Sequence, residues 1–169
     1  MDCKPKKDLK NTYTVTIILL VCGFVCIIFA PLTVARAVFQ LAGIGCFTGS
    51  IFIFTRYVQQ DYLYSVSADE SGVYDLSVNK IYGKRSTLVC KLALDTCVAF
   101  EKKREGEEQT HGKVTRKYNY VSNFSPAEVY YFYFRESEES ELCMLILECD
   151  GAFALYLSRL LPTDCKVNI

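Results

Sequence analysis

Two uninterrupted apolar runs dominate the first third of the chain. Residues 13–30 and 37–54 each form a run of eighteen residues without a charged side chain. As a helix, each would be about 27 Å long, close to the hydrocarbon thickness of a bilayer. A soluble helix would show a polar stripe, and a signal peptide would have a shorter apolar core, so both alternatives fit less well. We therefore predict a transmembrane helical hairpin over residues 13–56, with its turn near Pro31, which cannot continue a helix.

Basic residues flank these runs unequally. Four lysines precede the first run (Lys4, Lys6, Lys7 and Lys10), whereas the connecting loop contains only Arg36. Because basic residues are retained on the cytoplasmic side of membranes, we predict a cytoplasmic basic N-terminus over residues 1–12. Two spans then return the chain to the cytoplasm. The expectation is a two-helix protein of the cell membrane with both termini inside.

The remainder, residues 57–169, alternates apolar and polar residues in a manner typical of β-strands. Strands are predicted at 62–66, 73–81, 87–92, 96–101, 114–121, 127–134 and 142–147. The last is wholly apolar, so we expect a central strand with Leu142, Met144, Leu145 and Ile146 buried. A helix should follow over 151–161, with Asp150 as its N-cap and with Phe153, Leu157 and Leu160 packed on the strands.

Seven strands followed by one helix is the element order of the pleckstrin-homology (PH) fold. Residues 78–86 (Val-Asn-Lys-Ile-Tyr-Gly-Lys-Arg-Ser), with 89–92 (Val-Cys-Lys-Leu), resemble the small two-helix membrane proteins of low-GC Gram-positive bacteria that carry a PH-like domain. In layout, the resemblance covers residues 13–161. It implies an α+β membrane protein whose cytoplasmic domain, residues 57–169, is a mainly antiparallel β PH-like barrel closed by the C-terminal helix. It implies no chemistry.

The net charge of zero is a cancellation between two regions. Residues 1–56 carry six basic and two acidic side chains, and residues 57–169 carry thirteen basic and seventeen acidic ones. This balance argues against a nucleic-acid partner. Of the nine cysteines, Cys22, Cys26 and Cys46 lie within the apolar runs. Free thiols in a reducing compartment are the expectation for the other six.

Two sets of residues are candidates for contacts with the membrane. Gly45 and Gly49 form a pair of small residues that would let helices pack closely, either within the hairpin or in a homodimer. Five basic residues near predicted turns are candidates for contact with anionic lipid headgroups: Lys84, Arg85, Lys102, Lys103 and Arg104. The alternative for these five is that they are solvated strand ends.

No pattern of catalytic or metal-binding residues is evident. The single histidine, His111, lies in a charged loop, and the spacings of Cys90 and Cys97, and of Cys143 and Cys149, are wide for structural zinc. We therefore predict no catalytic centre, no metal and no cofactor. The expected function is a membrane-anchored, non-catalytic interaction module that contacts the lipid bilayer and a protein partner. The alternatives are an enzyme or enzyme subunit acting on a lipid-derived substrate, or a small component of a transporter or signalling complex.

Overall fold

The computed structural model describes residues 1–32, 34–69, 72–104, 112–135 and 140–169. The chain folds into two compact units. The helical unit contains Lys7–Gln60 together with Asn123–Ser125, and the β unit contains Met1–Lys6, Asp61–Ser122 and Pro126–Ile169. The first six residues, expected to belong to a separate basic segment, are thus part of the β unit.

The helical unit consists of two long apolar helices, which confirms that part of the sequence prediction. Helix α1 is Lys10–Phe29, helix α2 is Arg36–Tyr57, and a short 3-10 turn at Ala30–Leu32 follows α1. By length and composition, both helices could cross a membrane. Most of their large apolar side chains are exposed, including Phe24 at 59% and Leu41 at 69%.

The two helices approach each other closely at Gly23 and Gly43. A Cβ atom added to Gly43 would lie 2.8 Å from Ile27 Cγ1 and 3.1 Å from the carbonyl oxygen of Gly23. Gly45, expected to pack, has nothing within 4 Å of its Cβ direction, and Gly49 meets only Leu19 Cδ1 at 3.8 Å. The glycines that need to be small are therefore Gly23 and Gly43, because their hydrogens leave room for backbone contact.

Lys7 links the start of α1 to the end of α2. Its Nζ donates hydrogen bonds to the carbonyl oxygens of Val58, at 2.7 Å, and of Gln60, at 3.0 Å. A cation at this position complements the partial negative charge of a helix C-terminus. Asp8 N–H also donates to Asn123 Oδ1 at 2.8 Å. We call this end of the helical unit, defined by Lys7, Asp8, Val58 and Asn123, its base.

The β unit contains two sheets and one helix. The first sheet has the order β1-β2-β3-β4, formed by Asp2–Cys3, Gln60–Ala68, Tyr74–Tyr82 and Arg85–Ala93. The second has the order β6-β8-β7-β5-β9, where β5 is Cys97–Lys102, β6 Arg116–Asn119, β7 Tyr130–Phe134, β8 Cys143–Leu147 and β9 Lys166–Asn168. Helix α3, Gly151–Leu160, follows β8.

All seven predicted strands are present, but the predicted closed barrel is wrong. In the described part of the chain, the strands form two open sheets, and β6 pairs with β8 in parallel instead of extending an antiparallel meander. The reason lies in burial. Strand β8 is apolar on both faces and takes a central position between β6 and β7, whereas all four residues of β6 are exposed and suit an edge.

The core lies on both faces of the second sheet. Its larger part contains side chains with no exposed surface from both sheets and from α3: Tyr64, Leu76, Val78, Phe100, Phe132, Leu145, Leu147, Phe153 and Leu157. A smaller cluster of Ala99, Tyr133, Leu142 and Met144 covers the other face. Of the four side chains predicted to be buried, Leu142, Met144 and Leu145 are buried, which confirms that prediction. It is wrong for Ile146, on the side of the smaller cluster, which is only half-buried. The three helix side chains pack on the core as predicted, with Phe153 and Leu157 buried and Leu160 half-buried.

Helix α3 begins as predicted. The side chain of Asp150 accepts a hydrogen bond from the backbone N–H of Phe153 at 2.7 Å, so Asp150 is its N-cap. The cap fixes the turn between β8 and the helix. Phe153, Ala154 and Leu157 then form the buried face of α3.

Candidate functional site

The β unit contains an open cleft with a volume of about 560 Å³. Its walls come from β4 and β6, which are edge strands of the two different sheets. The residues that line it are Val89, Cys90, Lys91, Leu92, Arg116, Tyr118, Tyr120, Phe134, Ser140, Glu141 and Cys143. Its lining combines apolar and aromatic side chains with charged ones, and its volume is within the range of ligand-binding sites.

The β4 wall is irregular because the strand contains a β-bulge. Val78 pairs with Cys90 and Asn79 pairs with Leu88, which leaves Val89 as an extra residue without a partner position on β3. The carbonyl oxygen of Val89 accepts a hydrogen bond from the hydroxyl of Tyr120, at 3.4 Å. Bulges of this kind interrupt the hydrogen-bonding edge of a strand and are common beside functional sites.

The β6 wall presents alternate residues to the cleft. Arg116, Tyr118 and Tyr120 line it, whereas Lys117 and Asn119 do not, as expected from the two-residue period of a strand. The ring of Tyr118 stacks on Phe134 with a centroid distance of 6.4 Å. One edge of β6 is occupied by β8, and its other edge has no partner strand among the described residues.

The two cations of the cleft differ in their partners. Lys91 Nζ forms an ion pair with Asp75 Oδ2 at 3.0 Å. Arg116 forms no ion pair with any described residue, and its hydrogen bond with Tyr118 heads the interactions that raise its pKa. Arg116 is therefore a permanent positive charge held beside an aromatic surface, an arrangement suited to a carboxylate or phosphate.

Cys90 and Cys143 line the same cleft from opposite sheets. The sequence gives no indication that these two thiols come together, because they lie far apart along the chain. Both side chains are half-buried, and burial raises the pKa of Cys90, so that its thiol is protonated at neutral pH. A protonated thiol contributes apolar surface instead of a nucleophile.

A buried polar network fixes the segment that follows β6. The Tyr64 hydroxyl donates to the carbonyl oxygen of Tyr120 at 2.7 Å and accepts from the Glu148 N–H at 3.2 Å. Glu148 Oε2 accepts from the Ser122 N–H at 3.0 Å, and Ser122 Oγ accepts from the Tyr62 N–H at 3.1 Å. The network ties β2 to the β6 side of the cleft. The sequence hardly predicts this network, because Glu148 directly follows an apolar strand and resembles an ordinary exposed residue at a strand end.

The five basic residues proposed for headgroup contact lie at two turns. Lys84 and Arg85 belong to the β3–β4 hairpin, where Gly83 has a φ of +58°, and both are exposed. At the end of β5, Lys102 pairs with Glu128 and lies over the ring of Tyr130 at 5.8 Å.

The pKa of Lys102 is raised, first of all by its hydrogen bond with Glu128. Arg104 donates to Asn168 Oδ1 at 3.0 Å, and Lys103 is exposed beside it. Lys102 and Arg104 therefore have partners within the β unit, and headgroup contact by the five residues stays a prediction.

No metal centre is assembled by the residues that the structure describes, since no three of their His, Cys, Asp and Glu side chains could hold an ion. His111 and the acidic residues Glu136, Glu138 and Glu139 lie outside the described residues. Comparison with known proteins gives no match to a protein family, to a curated protein or to a solved structure. The candidate site therefore rests on its own geometry.

Proposed function

We propose that this protein is a membrane-anchored, non-catalytic interaction module of the cytoplasmic face of the membrane, and that the cleft between β4 and β6 binds its partner. The proposal rests on one observation. A single chain combines two apolar helices with exposed side chains and a folded unit that contains an open cleft. The helices supply the anchor, and the cleft supplies the binding surface.

Exposed apolar side chains support insertion of the helices in lipid. Ile18, Phe24, Leu41 and Ile51 all expose more than half of their surface, and many neighbours do the same. Contiguous apolar surface of this extent is costly in water and indicates contact with a membrane.

Charge supports the orientation of the anchor. Lys7 is bound at the base of the helical unit, where Lys10 begins α1 and Arg56 lies in the last turn of α2. Arg36, the first residue of α2, is the only basic residue at the opposite end of the two helices. Because basic residues stay in the cytoplasm, the base of the helical unit belongs on that side.

The occupant that we propose is an extended segment of a partner protein that adds to the edge of β6 opposite β8, where no described strand is paired. Main-chain hydrogen bonds to an edge strand supply affinity, and alternate side-chain pockets supply specificity. The bulge at Val89 makes β4 less suitable than β6 for the addition of a partner strand. Arg116 would bind an acidic side chain of the segment, and the surface of Tyr118 and Phe134 would receive an apolar or aromatic one.

A relation to the PH-like domains of small two-helix bacterial membrane proteins remains part of the proposal. Its support is the element order, in which two apolar helices, seven principal strands and one helix follow one another. The proposed relation is limited to this order of elements and does not extend to a closed barrel.

Photo-crosslinking in native membranes tests the proposed occupant. A photoreactive phenylalanine analogue at position 118 should crosslink to an extended, acidic segment of one protein, identified by mapping the linked peptides. Tyr74 is the matched control, because it is a tyrosine in a strand outside the cleft and is 38% exposed compared with 36% for Tyr118. Equal crosslinking at both positions, or linkage to a lipid-derived molecule, would contradict the proposal.

The charge of the cleft gives a second measurement in the same experiment. Arg116→Glu should lower the crosslinking yield at position 118 by at least tenfold, because a carboxylate of the partner would face a like charge. Lys117→Glu introduces the same charge change on the neighbouring residue, which does not line the cleft, and should leave the yield within about twofold. Equal losses for the two variants would mean that Arg116 does not bind the partner.

A further inference from the structure

Two cysteines meet where the last strand joins the second sheet. Cys97 is the first residue of β5, and Cys165 immediately precedes β9. Strand β9 pairs in parallel with β5, with Ala99 opposite Lys166 and Phe100 opposite Val167. The two Sγ atoms are 2.8 Å apart, and each residue is 8% exposed.

We propose that Cys97 and Cys165 form a reversible disulfide that fastens β9 to β5. A disulfide needs its sulfur atoms about 2.0 Å apart, so closing the bond requires less than about 1 Å of movement. The backbone pairing of the two strands already holds these segments together. Among the described residues, no other two cysteine sulfur atoms form a hydrogen bond with each other.

We assign different roles to the two thiols. Cys165 is the thiol that attacks, because it directly precedes β9, a three-residue edge strand, whereas Cys97 begins β5, which lies between β7 and β9 in the sheet. The hydrogen bond between the thiols acts in the same direction, since it lowers the pKa of Cys165 and raises that of Cys97, and the thiolate is the nucleophile in disulfide exchange. Burial raises the pKa of Cys3, Cys90 and Cys149, which keeps these three thiols protonated.

The oxidant that we propose is a low-molecular-weight disulfide. The Cys165 thiolate attacks one of its sulfur atoms and releases the first small-molecule thiolate, which leaves a mixed disulfide on Cys165. That thiolate takes the proton of Cys97, and Cys97 then displaces the second thiolate. Two protein thiols are thus oxidised to one disulfide while one small-molecule disulfide is reduced to two thiols.

The bond would act on a strand that is weakly held. Strand β9 has three residues, all exposed, and β5 is its only partner among the described strands. Short edge strands open locally at a low free-energy cost, and this opening gives the oxidant access to Cys165. Oxidation would then keep β9 closed, whereas reduction would allow it to detach.

Peptide mapping of the intact protein tests the proposal. The full chain, in membranes or detergent, is incubated with glutathione disulfide, its remaining thiols are blocked with a maleimide, and it is digested. The expected product is a peptide pair linked through Cys97 and Cys165 that dithiothreitol separates. Hydrogen exchange of the 166–168 amides should slow by at least tenfold on oxidation. A wild-type protein in which both thiols stay fully maleimide-labelled, or pair with other cysteines, would overturn the proposal.

Single variants test the order of attack. Cys97→Ser should accumulate a glutathione mixed disulfide on Cys165, whereas Cys165→Ser should leave Cys97 largely unmodified. Cys90→Ser is the matched control and should still form the Cys97–Cys165 linkage. Preferential glutathione attachment to Cys97 would contradict the assigned roles, and because the linkage itself is measured in the wild-type chain, misfolding of a variant does not affect that result.

Discussion

At the scale of single residues, the two faces of β8 pack into different clusters. The alternation of β8 places Leu145 and Leu147 in the larger core, whereas Ile146 is half-buried on the other side. All of these residues are apolar, so their order carries no signal of depth. The depth at which a side chain is buried depends on which elements cover its face of the sheet. Those elements come from parts of the chain that are distant in sequence.

The two faces of β8 should respond differently to truncation. Leu145→Ala should destabilise the protein by about 2–5 kcal/mol, because it leaves a cavity among fully buried side chains. Ile146→Ala removes a similar volume from a half-buried position and should cost about 1 kcal/mol. Denaturant unfolding of the two variants in the same detergent compares these costs. Equal losses would mean that the two clusters are equally well packed.

At the scale of elements, alternation and turn residues predict the seven long strands and α3 to within a few residues. Two short strands leave no such pattern in the sequence: β1 has two residues and β9 has three, which is too short for a period to be detected. The pairing of β6 with β8 is equally hidden, since alternation assigns a face but not a neighbour. The candidate cleft depends on that pairing, so it could not be predicted although its residues could be named.

Helix packing is an element-scale feature with a direct test. Gly43→Val should disrupt the α1–α2 contact, because its Cβ would lie 2.8 Å from Ile27 and 3.1 Å from a backbone oxygen. Gly45→Val is the matched control, since a Cβ atom added to Gly45 meets nothing within 4 Å. We expect a loss of more than about 2 kcal/mol for Gly43→Val and of less than about 1 kcal/mol for Gly45→Val. Thermal unfolding in detergent measures both, and a larger loss for Gly45→Val would place the tight helix contact elsewhere.

At the scale of the whole molecule, the role of the proposed cysteine pair depends on the side of the membrane that the β unit occupies. Basic residues near the base of the helical unit favour the cytoplasm. In that compartment the Cys97–Cys165 pair would be mainly reduced, and oxidation would be a response. On the outer side, the same pair would be a permanent disulfide. The orientation therefore decides whether β9 is a regulated strand or a fixed one.

Accessibility of introduced cysteines determines the orientation. Val34→Cys places a thiol in the connection between α1 and α2, where Val34 is fully exposed, and Lys84→Cys places one in the exposed β3–β4 hairpin. In intact cells, a membrane-impermeant maleimide should label the variant at position 34 and not the one at position 84, as read by peptide mapping. After lysis, position 84 should also be labelled, which serves as the control for its reactivity. Labelling of position 84 in intact cells would place the β unit outside the membrane and would overturn the cytoplasmic part of the proposed function, while leaving the cleft and the disulfide to be tested on their own measurements.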